Sequence, residues 1–394
     1  MVKKVTSNIK YIGVTDNTID LFESQYPVPR GITYNSYLVE GEKVAIIDTV
    51  DHHMADEWKA NLAEGLAGRT PEYLVVEHME PDHSAVIADI MAEYPGLSIV
   101  GSAKTMQMLT QFFEDIKLDG RTIAVKEGDT LDLGGRTLRF LMAPMVHWPE
   151  VIAVYDMEDK TLFSADAFGT FGQFDDPADT EGWKDEARRY YINICGKYGP
   201  QVQSLLKKGA NLDIKRICPL HGPVLTDIAG HVALYDTWSS YRPECPDGVF
   251  IAYASVYGGT AKCAALLGER LGEMGIKEVE AIDLCRCDMA EAVAQAFRMG
   301  TLVVAATTYD AGVFPPMHSF LHHLQIKGWR DRRAAIIENG SWAPIAGKIM
   351  ASMLSEMKGI TLIEPGLTIK SRLKRDDIPA LDTLAANIVA AIKG

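Results

Sequence analysis

Residues 77–83 read EHMEPDH and directly follow the apolar run YLVV at 73–76. Two histidines and three carboxylates therefore occupy seven consecutive positions at the end of a sequence typical of a buried strand. One interpretation is a solvated acidic loop with two incidental histidines, and the other is a metal site. The positions of the remaining ligand-type residues in the chain distinguish between the two.

Three further ligand-type residues follow apolar runs in the same way. His147 comes after LRFLMAP, Asp166 after TLFSA and His221 after RICPL. Loops at the same ends of neighbouring strands converge, so His78, Glu80, Asp82 and His83 can meet these three residues in one cluster. Four imidazoles and three carboxylates exceed the needs of one four-coordinate metal. They suit two metals bridged by a carboxylate, and a nitrogen and oxygen set without thiolate favours iron or manganese over zinc.

The chain changes its pattern near residue 249, which predicts two domains, 1–245 and 249–394. The first half has dense, short apolar runs, which predict two mixed sheets with helices on their outer faces. Polar segment 236–248, with two prolines, reads as a linker, and beyond it strands alternate with helices as in a doubly wound parallel sheet. In the first half, helices are predicted at 54–66, 84–94, 103–115 and 180–207.

Composition narrows the classes of partner. A formal charge of −14 argues against binding to nucleic acid or to an anionic membrane surface. No run approaches the length of a membrane span, and no signal peptide is recognisable, so a cytoplasmic protein is expected. The six cysteines include no C-x-x-C pair, which argues against a zinc-ribbon, rubredoxin or ferredoxin site within the chain.

The pattern H-x-E-x-D-H at 78–83, followed by His147, Asp166 and His221, resembles that of the metallo-β-lactamase superfamily. Hydrolases of that superfamily usually carry histidine where this chain has Glu80. The glutamate, together with H-W-P at 147–149, is similar to the flavodiiron proteins (A-type flavoproteins, related to rubredoxin:oxygen oxidoreductase). The resemblance implies a two-domain α/β and α+β protein, in which a metallo-β-lactamase-like αββα sandwich is followed by a flavodoxin-like doubly wound parallel sheet.

That resemblance also implies a ligand set. His78, Glu80 and His147 would bind one iron, and Asp82, His83 and His221 the second, with Asp166 bridging. Asp48, which matches an aspartate common in the superfamily, is expected to be structural.

The second half offers the loops that a flavodoxin-like domain uses for FMN. The first strand ends in a hydroxyl-rich, glycine-containing turn that can surround a phosphate at a helix N-terminus, and no G-K-[ST] follows. The third and fourth strand ends offer aromatic rings to the flavin. Two departures from the family are Asp310, where asparagine is usual, and a fourth loop without the common G-[SA]-Y-G-W form. The expected FMN-binding residues are Ser255, Val256, Tyr257, Gly258, Gly259, Thr260, Thr307, Thr308, Tyr309, Asp310, Ala311, Gly312, Asn339, Gly340, Ser341 and Trp342.

By resemblance, the protein is expected to reduce O2 to water, NO to N2O, or both. Electrons would pass through FMN from an external donor such as rubredoxin, within a head-to-tail homodimer or a dimer of dimers. Two alternatives remain open at this point. One is a zinc-dependent hydrolase of the metallo-β-lactamase fold, and the other is a flavin electron carrier whose first domain is vestigial.

Overall fold

The computed structural model describes residues 2–114, 116–178 and 181–394. The chain divides into two compact units, Met1–Asp236 and Thr237–Gly394. Within the segment that composition assigned to a linker, residues up to Ser239 are helical and residues from Cys245 form a strand. Most of the predicted linker, 236–248, is therefore in regular structure. The domain limits 1–245 and 249–394 stay a prediction.

In the first unit, most strands belong to two sheets. The seven-stranded sheet has the order β1-β2-β7-β8-β9-β10-β11 and the five-stranded sheet the order β12-β13-β14-β15-β16; β3 pairs with β6 and β4 with β5. The strands are β1 (Lys3–Lys4), β2 (Ile9–Tyr11), β3 (Val14–Asp16), β4 (Leu21–Phe22), β5 (Tyr26–Pro27), β6 (Ile32–Tyr34), β7 (Tyr37–Glu40), β8 (Val44–Ile47), β9 (Tyr73–Val75), β10 (Ser98–Ser102), β11 (Thr122–Val125), β12 (Thr130–Asp132), β13 (Thr137–Met142), β14 (Ile152–Asp156), β15 (Thr161–Phe163) and β16 (Arg216–Cys218).

The core of this unit lies between the two sheets. Val39 and Ile47 of the larger sheet are buried in one cluster with Leu138, Phe140 and Phe163 of the smaller one. Along β13 the side chains alternate, so Leu138 and Phe140 face this core while exposed Arg139 faces away. Each fully buried side chain of this size contributes about 1.5–3 kcal/mol of hydrophobic stabilisation. The two-sheet sandwich predicted from the sequence is confirmed.

Each of the four predicted helical stretches contains helix, but the described part of this unit has seven α-helices rather than four. They are α1 (Ala55–Leu66), α2 (Pro81–Ser84), α3 (Ile87–Glu93), α4 (Ala103–Phe112), α5 (Glu181–Ile194), α6 (Gly199–Gly209) and α7 (Ile228–Ser239). The helix predicted over 180–207 is two helices, because the 3₁₀ turn Gly196–Tyr198 and a proline in the first turn of α6 separate them. The predicted ends at residues 115 and 180 lie outside the described residues.

The second unit contains a doubly wound sheet with the order β18-β17-β19-β21-β22, in which all of these neighbours are parallel. Its strands are β17 (Cys245–Ala254), β18 (Val279–Asp283), β19 (Met299–Tyr309), β20 (Gly312–Val313), β21 (Arg333–Asn339), β22 (Thr361–Leu362) and β23 (Leu367–Ile369). Its helices are α8 (Gly259–Glu273), α9 (Met289–Arg298), α10 (Pro315–Lys327), α11 (Ala346–Ser355) and α12 (Ile378–Lys393). Buried residues of α8 and α12 pack on the central strands, as Leu267 and Leu384 do with Val303.

Candidate metal centre and flavin loops

The structure brings all seven predicted metal ligands together in two groups. His78, Glu80, His147 and Asp166 form one group, and Asp82, His83 and His221 form the other. Within each group, one potential ligand atom per residue lies within 4.8 Å of all the others. The loops that carry them follow β9, β13, β15 and β16, as expected from the sequence.

Helix α2 explains why the EHMEPDH segment serves both groups. It begins at Pro81, and Glu80 before it has extended backbone, with φ −60° and ψ 140°. His78 and Glu80 therefore lie on extended chain and reach the first group. Asp82 and His83 lie in the helical turn and reach the second. The proline at the start of the helix fixes the change of direction between the two pairs.

In the first group the imidazoles face carboxylates. His147 Nε2 lies 3.0 Å from Glu80 Oε2 and 3.0 Å from Asp166 Oδ2. His78 Nε2 lies 3.1 Å from Glu80 Oε2 and 3.5 Å from Asp166 Oδ2. One nitrogen from each imidazole and one oxygen from each carboxylate thus converge on a single point.

The second group is built around two imidazoles that face each other. His83 Nε2 lies 3.0 Å from His221 Nε2, and Asp82 Oδ2 lies 3.3 Å from each of them. The other oxygen of Asp166, Oδ1, lies 3.3 Å from His83 Nε2 and 3.6 Å from His221 Nε2. Asp166 therefore turns one oxygen to each group, which is the geometry of a bridging carboxylate.

The electrostatics of the two groups differ. Burial acts to raise the pKa of Asp166, but the facing imidazoles outweigh it and hold the pKa well below the ordinary value. Burial also acts to raise the pKa of Glu80, but His147 and His78 outweigh burial and lower this pKa to about 2. Burial raises the pKa of Asp82 to about 7, since the nearby carboxylates offset the attraction of His83. The charged form of Asp82 in the second group is thus less stabilised than the charged forms of Glu80 and Asp166.

Two carboxylates of the ligand groups have buried oxygens that lack the partners burial normally requires. Among the described residues, both oxygens of Asp82 and Oδ1 of Asp166 accept no hydrogen bond. A buried polar group without a partner costs about 1–3 kcal/mol, and more if it is charged. Of these oxygens, Asp82 Oδ2 and Asp166 Oδ1 each lie 3.3 Å from His83 Nε2 of the second group. A cation bound there would satisfy them, so the residues present fit a metal ion.

Residues outside the predicted set orient the ligands. Glu150 Oε1 accepts hydrogen bonds from His78 Nδ1 at 2.8 Å and from the Met79 amide at 2.8 Å. The Thr33 carbonyl accepts one from His221 Nδ1 at 2.6 Å. Both bonds leave the Nε2 atom of the histidine for the cluster, as in metal sites generally.

Asp48 and Glu77 shape the backbone beneath the ligands. Asp48 accepts the amide hydrogens of Glu77, at 3.0 Å, and of His78, which confirms the structural role expected for it. Glu77 belongs to neither group and is fully buried; its Oε2 accepts the amide hydrogen of Ala165, next to Asp166.

Aromatic rings surround the imidazoles. The ring of Trp148 meets His78 edge-on at 5.2 Å between centroids. Phe22, Tyr34 and Tyr190 surround His221 at 5.4, 6.1 and 5.6 Å. Such rings lower the local dielectric and limit the entry of water, so charge interactions within the cluster are stronger than at the surface. None of these contacts could be read from sequence spacing.

In the second unit, the turn after β17 leads into the N-terminus of α8. Gly258 has φ 85° and its amide donates to Ser255 Oγ at 3.1 Å, which closes the turn before α8 begins at Gly259. A Cβ at Gly259 would lie 2.3 Å from the Ser371 carbonyl oxygen, so only glycine fits this close approach. The amides at this 15-residue helix start face the end of the sheet where ligands bind in such folds.

The end of β19 is a hairpin rather than an open loop. Tyr309 pairs with Gly312, and Asp310 and Ala311 between them have φ 47° and 55°. Two consecutive left-handed residues make the tight type I′ turn, which aspartate tolerates well. Thr308 Oγ1 accepts the amides of Ile345 and Ala346 at 2.9 and 3.0 Å, so this hydroxyl holds the start of α11.

Asn339 ties the loops together. Its amide nitrogen donates to Thr260 Oγ1 at 3.2 Å and to the Ser371 carbonyl at 3.0 Å, and its oxygen accepts the Ser371 amide. The hydroxyl oxygens of Ser371 and Ser341 are also hydrogen-bonded to each other, 2.7 Å apart. Ser371 follows β23 and was missed by the sequence reasoning, since no flanking motif marks it.

Two aromatic rings at these strand ends are almost fully open to solvent. Tyr257 is 99% exposed and Trp342 is 83% exposed. Side chains of this size normally bury much of their surface, and open aromatic rings commonly belong to a binding surface. Together with the hydroxyl-rich turn, they suit a planar ring that carries a phosphate.

Comparisons with known proteins agree with both halves of the chain. A family model described as ODP family beta lactamase matches residues 32–222. The anaerobic nitric oxide reductase flavorubredoxin of Aeromonas hydrophila is 30% identical over 349 residues, covering 86% of this chain and 70% of that protein. Among the described residues, no helix is long and apolar enough to cross a membrane.

Solved structures give the same result. The rubredoxin oxygen:oxidoreductase of Desulfovibrio gigas matches 100% of this chain and 99% of its own with a TM-score of 0.93 and 25% identity. The flavodiiron protein of Giardia intestinalis matches 100% of this chain and 98% of its own with a TM-score of 0.92 and 23% identity, which supports the fold. The chain belongs to the flavodiiron protein family, with a metallo-β-lactamase-like unit followed by a flavodoxin-like one.

Proposed function

We propose that this protein is an oxidoreductase that reduces O2 to water, NO to N2O, or both, at a diiron site. The observation that carries the proposal is the Asp166 carboxylate, which faces one ligand group with each of its oxygens. The names of the relatives, a nitric oxide reductase flavorubredoxin and a rubredoxin oxygen:oxidoreductase, support the substrate class.

The proposed ligands divide as the two groups do. His78, Glu80 and His147 would hold one iron, Asp82, His83 and His221 the other, with Asp166 shared between them. Bound there, two irons would supply redox chemistry for a small diatomic substrate, and FMN would supply the electrons that reduce them.

The chain itself controls protons and orientation at this site. Glu150 accepts the Nδ1 proton of His78, and the Thr33 carbonyl accepts that of His221, so Nε2 of both rings is directed at the cluster. The aromatic rings around His221 limit water at the second group. Glu80 brings one more negative charge than a histidine would at this position. That charge favours a redox-active iron pair over a hydrolytic zinc pair.

FMN, the electron donor and the assembly belong to the same proposal. The turn at 255–260 would hold the FMN phosphate, and the rings of Tyr257 and Trp342 would contact the flavin. An external donor, rubredoxin or a similar protein, would reduce it. A head-to-tail homodimer, or a dimer of dimers, would place the FMN of one chain beside the irons of another. A cytoplasmic location remains a prediction from the sequence.

Metal and flavin analysis of the purified protein separates this proposal from its rivals. About two irons and one FMN per chain are expected, with consumption of O2 or NO in the presence of a reduced donor. Zinc without flavin would favour the hydrolase, and flavin without any metal would favour the simple electron carrier. The rate of NO consumption is measured anaerobically and the rate of O2 consumption aerobically. The faster of the two identifies the preferred substrate.

The replacement Glu80→His tests the ligand that distinguishes the proposed iron site from a hydrolytic one. We expect lower retention of iron in the first group because a carboxylate oxygen is exchanged for a neutral nitrogen. Iron content and turnover equal to those of the native protein would contradict the role of Glu80 as a ligand.

A further inference from the structure

Helix α10 carries two exposed histidines on the side that faces away from the core of the second unit. The core-facing side of this 13-residue helix consists of the buried residues Met317, Phe320, Leu321 and Leu324. His318 and His322 lie on the opposite side and are exposed. Neither histidine belongs to the two ligand groups or to the predicted FMN-binding residues.

The spacing of the two histidines places their side chains next to each other. An α-helix advances about 100° per residue, so residues four apart are separated by about 40° around the axis and by about one turn along it. Side chains at this spacing have Cβ atoms about 5–6 Å apart. Two histidines on one helix face bind a single metal ion at this spacing, as in the H-E-x-x-H motif.

Both imidazoles are available to a ligand. Among the described residues, neither the His318 ring nor the His322 ring forms a hydrogen bond or an ion pair. His323, the third histidine of the helix, is half-buried, and its Nδ1 donates to the Ser319 carbonyl at 2.7 Å. Its ring lies 6.3 Å from the His322 ring, but its position is rotated by about 140° from that of His318. His323 is therefore the natural control for the pair.

The charges near this side of the helix favour a cation. Gln325 lies three residues beyond His322, and its Nε2 donates to the carboxylate of Glu356 at 2.9 Å. Glu356 is exposed and forms no ion pair in the part of the chain that the structure describes. The helix itself has no charged side chain before Lys327. In a chain with a net charge of −14, these features attract cations to the two imidazoles.

We propose that His318 and His322 chelate a divalent transition-metal ion on the surface of the second unit. Two imidazole nitrogens without thiolate suit Cu²⁺, Zn²⁺ or Ni²⁺, and the general order of stability places Cu²⁺ first. Mg²⁺ and Ca²⁺ prefer oxygen ligands and do not suit the pair. Water completes the coordination of an ion held by two exposed rings. The inference goes beyond the proposed function and does not depend on it, since it involves neither the diiron ligands nor the flavin.

The test is a calorimetric titration of the oxidised protein, as purified, with Cu²⁺. Iron and flavin contents are measured before and after, so that metal exchange at the ligand groups is recognised. In His318→Gln and in His322→Gln, Cu²⁺ affinity at this site should fall at least about tenfold, the lower limit for losing even a residue that only supports a ligand. Glutamine is a good helix former, so α10 should be kept in both variants.

The matched control is His323→Gln, which should bind Cu²⁺ as the native protein does. The EPR spectrum of the bound Cu²⁺ should show coupling to two imidazoles in these two proteins and to fewer in His318→Gln and His322→Gln. Zn²⁺ should raise the unfolding temperature more in the native protein and in His323→Gln than in the other two variants, because an ion that binds only the folded helix stabilises it. Mg²⁺ should not distinguish the four proteins.

The outcomes test the pair separately from the proposed function. Equal Cu²⁺ affinity in the native protein, His318→Gln and His322→Gln would overturn the inference, and so would a loss of binding in His323→Gln. A loss in only one of the first two variants would indicate a single imidazole and would overturn the chelating pair. Iron content, flavin content and consumption of O2 or NO test the proposed function, and they should be the same in all four proteins.

Discussion

Replacing Glu150 by glutamine tests the proposed metal centre without touching a ligand. Glu150 is fully buried, and its Oε1 accepts the Nδ1 proton of His78 and the amide proton of Met79, both at 2.8 Å. A glutamine oxygen can still accept both protons, so the position of His78 should be kept. The substitution removes the negative charge beside His78 Nδ1. In the native protein that charge makes Nε2 of the same ring a stronger metal ligand.

The size of the effect follows from these two bonds. A hydrogen bond to a charged group is worth about 1.5–3 kcal/mol and a neutral one about 0.5–1.5 kcal/mol. The difference of roughly 1.4 kcal/mol corresponds to about a tenfold loss of affinity. In addition, Oε2 of Glu150 has no partner among the described residues, so an NH2 group there would be buried without an acceptor. That penalty, about 1–3 kcal/mol, lowers the unfolding temperature whether or not metal is bound.

The assay is an anaerobic titration of metal-free protein with Fe(II) in competition with a coloured chelator. We expect the affinity of the first group to fall about tenfold, within the 10–100-fold range typical of such partners, and that of the second group to stay within twofold. Glu158→Gln is the control, because Glu158 accepts the Thr137 amide at 2.7 Å on an exposed surface. Equal weakening of both sites in Glu150→Gln, or no weakening at all, would refute the orienting role of Glu150.

Three other predictions follow from the same geometry. Asp166→Asn removes the carboxylate shared by both groups, so elemental analysis should find less than about one iron per chain instead of two. In metal-free protein, burial acts to lower the pKa of His147, but Asp166 and Glu80 outweigh burial and raise this pKa to about 9. Metal binding must therefore displace a proton, and calorimetry in buffers of different ionisation enthalpy should show proton release, with affinity increasing up to about pH 9. Trp342→Ala removes an 83% exposed ring from the proposed flavin site, and fluorescence titration should show FMN affinity lower by up to about tenfold.

The clustering of the seven candidate ligands could be predicted from the sequence because it depends on local order. Each follows a short apolar run, and in a sandwich of this kind the ends of neighbouring strands lie together. The division between His78 with Glu80 and Asp82 with His83 could also be anticipated, since Pro81 separates the pairs and starts a helical turn. These inferences require only strand periodicity and the geometry of proline.

What could not be predicted depends on contacts between distant parts of the chain. Glu150 reaches His78 across 72 positions, and Thr33 reaches His221 across 188. Ser371 meets Asn339 because β23 pairs with β21, a register that the sequence of neither strand determines alone. The hairpin at Asp310 was missed for a different reason. Its flanking strand β20 is only two residues long, too short for a periodicity signal.

The charge of the proposed site explains why one residue can separate it from a hydrolytic site of the same fold. With four neutral imidazoles, the carboxylates of Glu80, Asp82 and Asp166 contribute three negative charges against the four positive charges of two ferrous ions. Histidine at position 80 would leave one more positive charge in a site lined by aromatic rings, where charge interactions are weakly screened. Loss of electrons from the metals raises the positive charge further, so the extra carboxylate stabilises the oxidised pair relative to the reduced one. A hydrolase does not change oxidation state and gains nothing from this, whereas a reductase must pass through both states in each turnover. In the proposed site, Glu80 is therefore the residue whose charge most directly suits the fold to electron transfer.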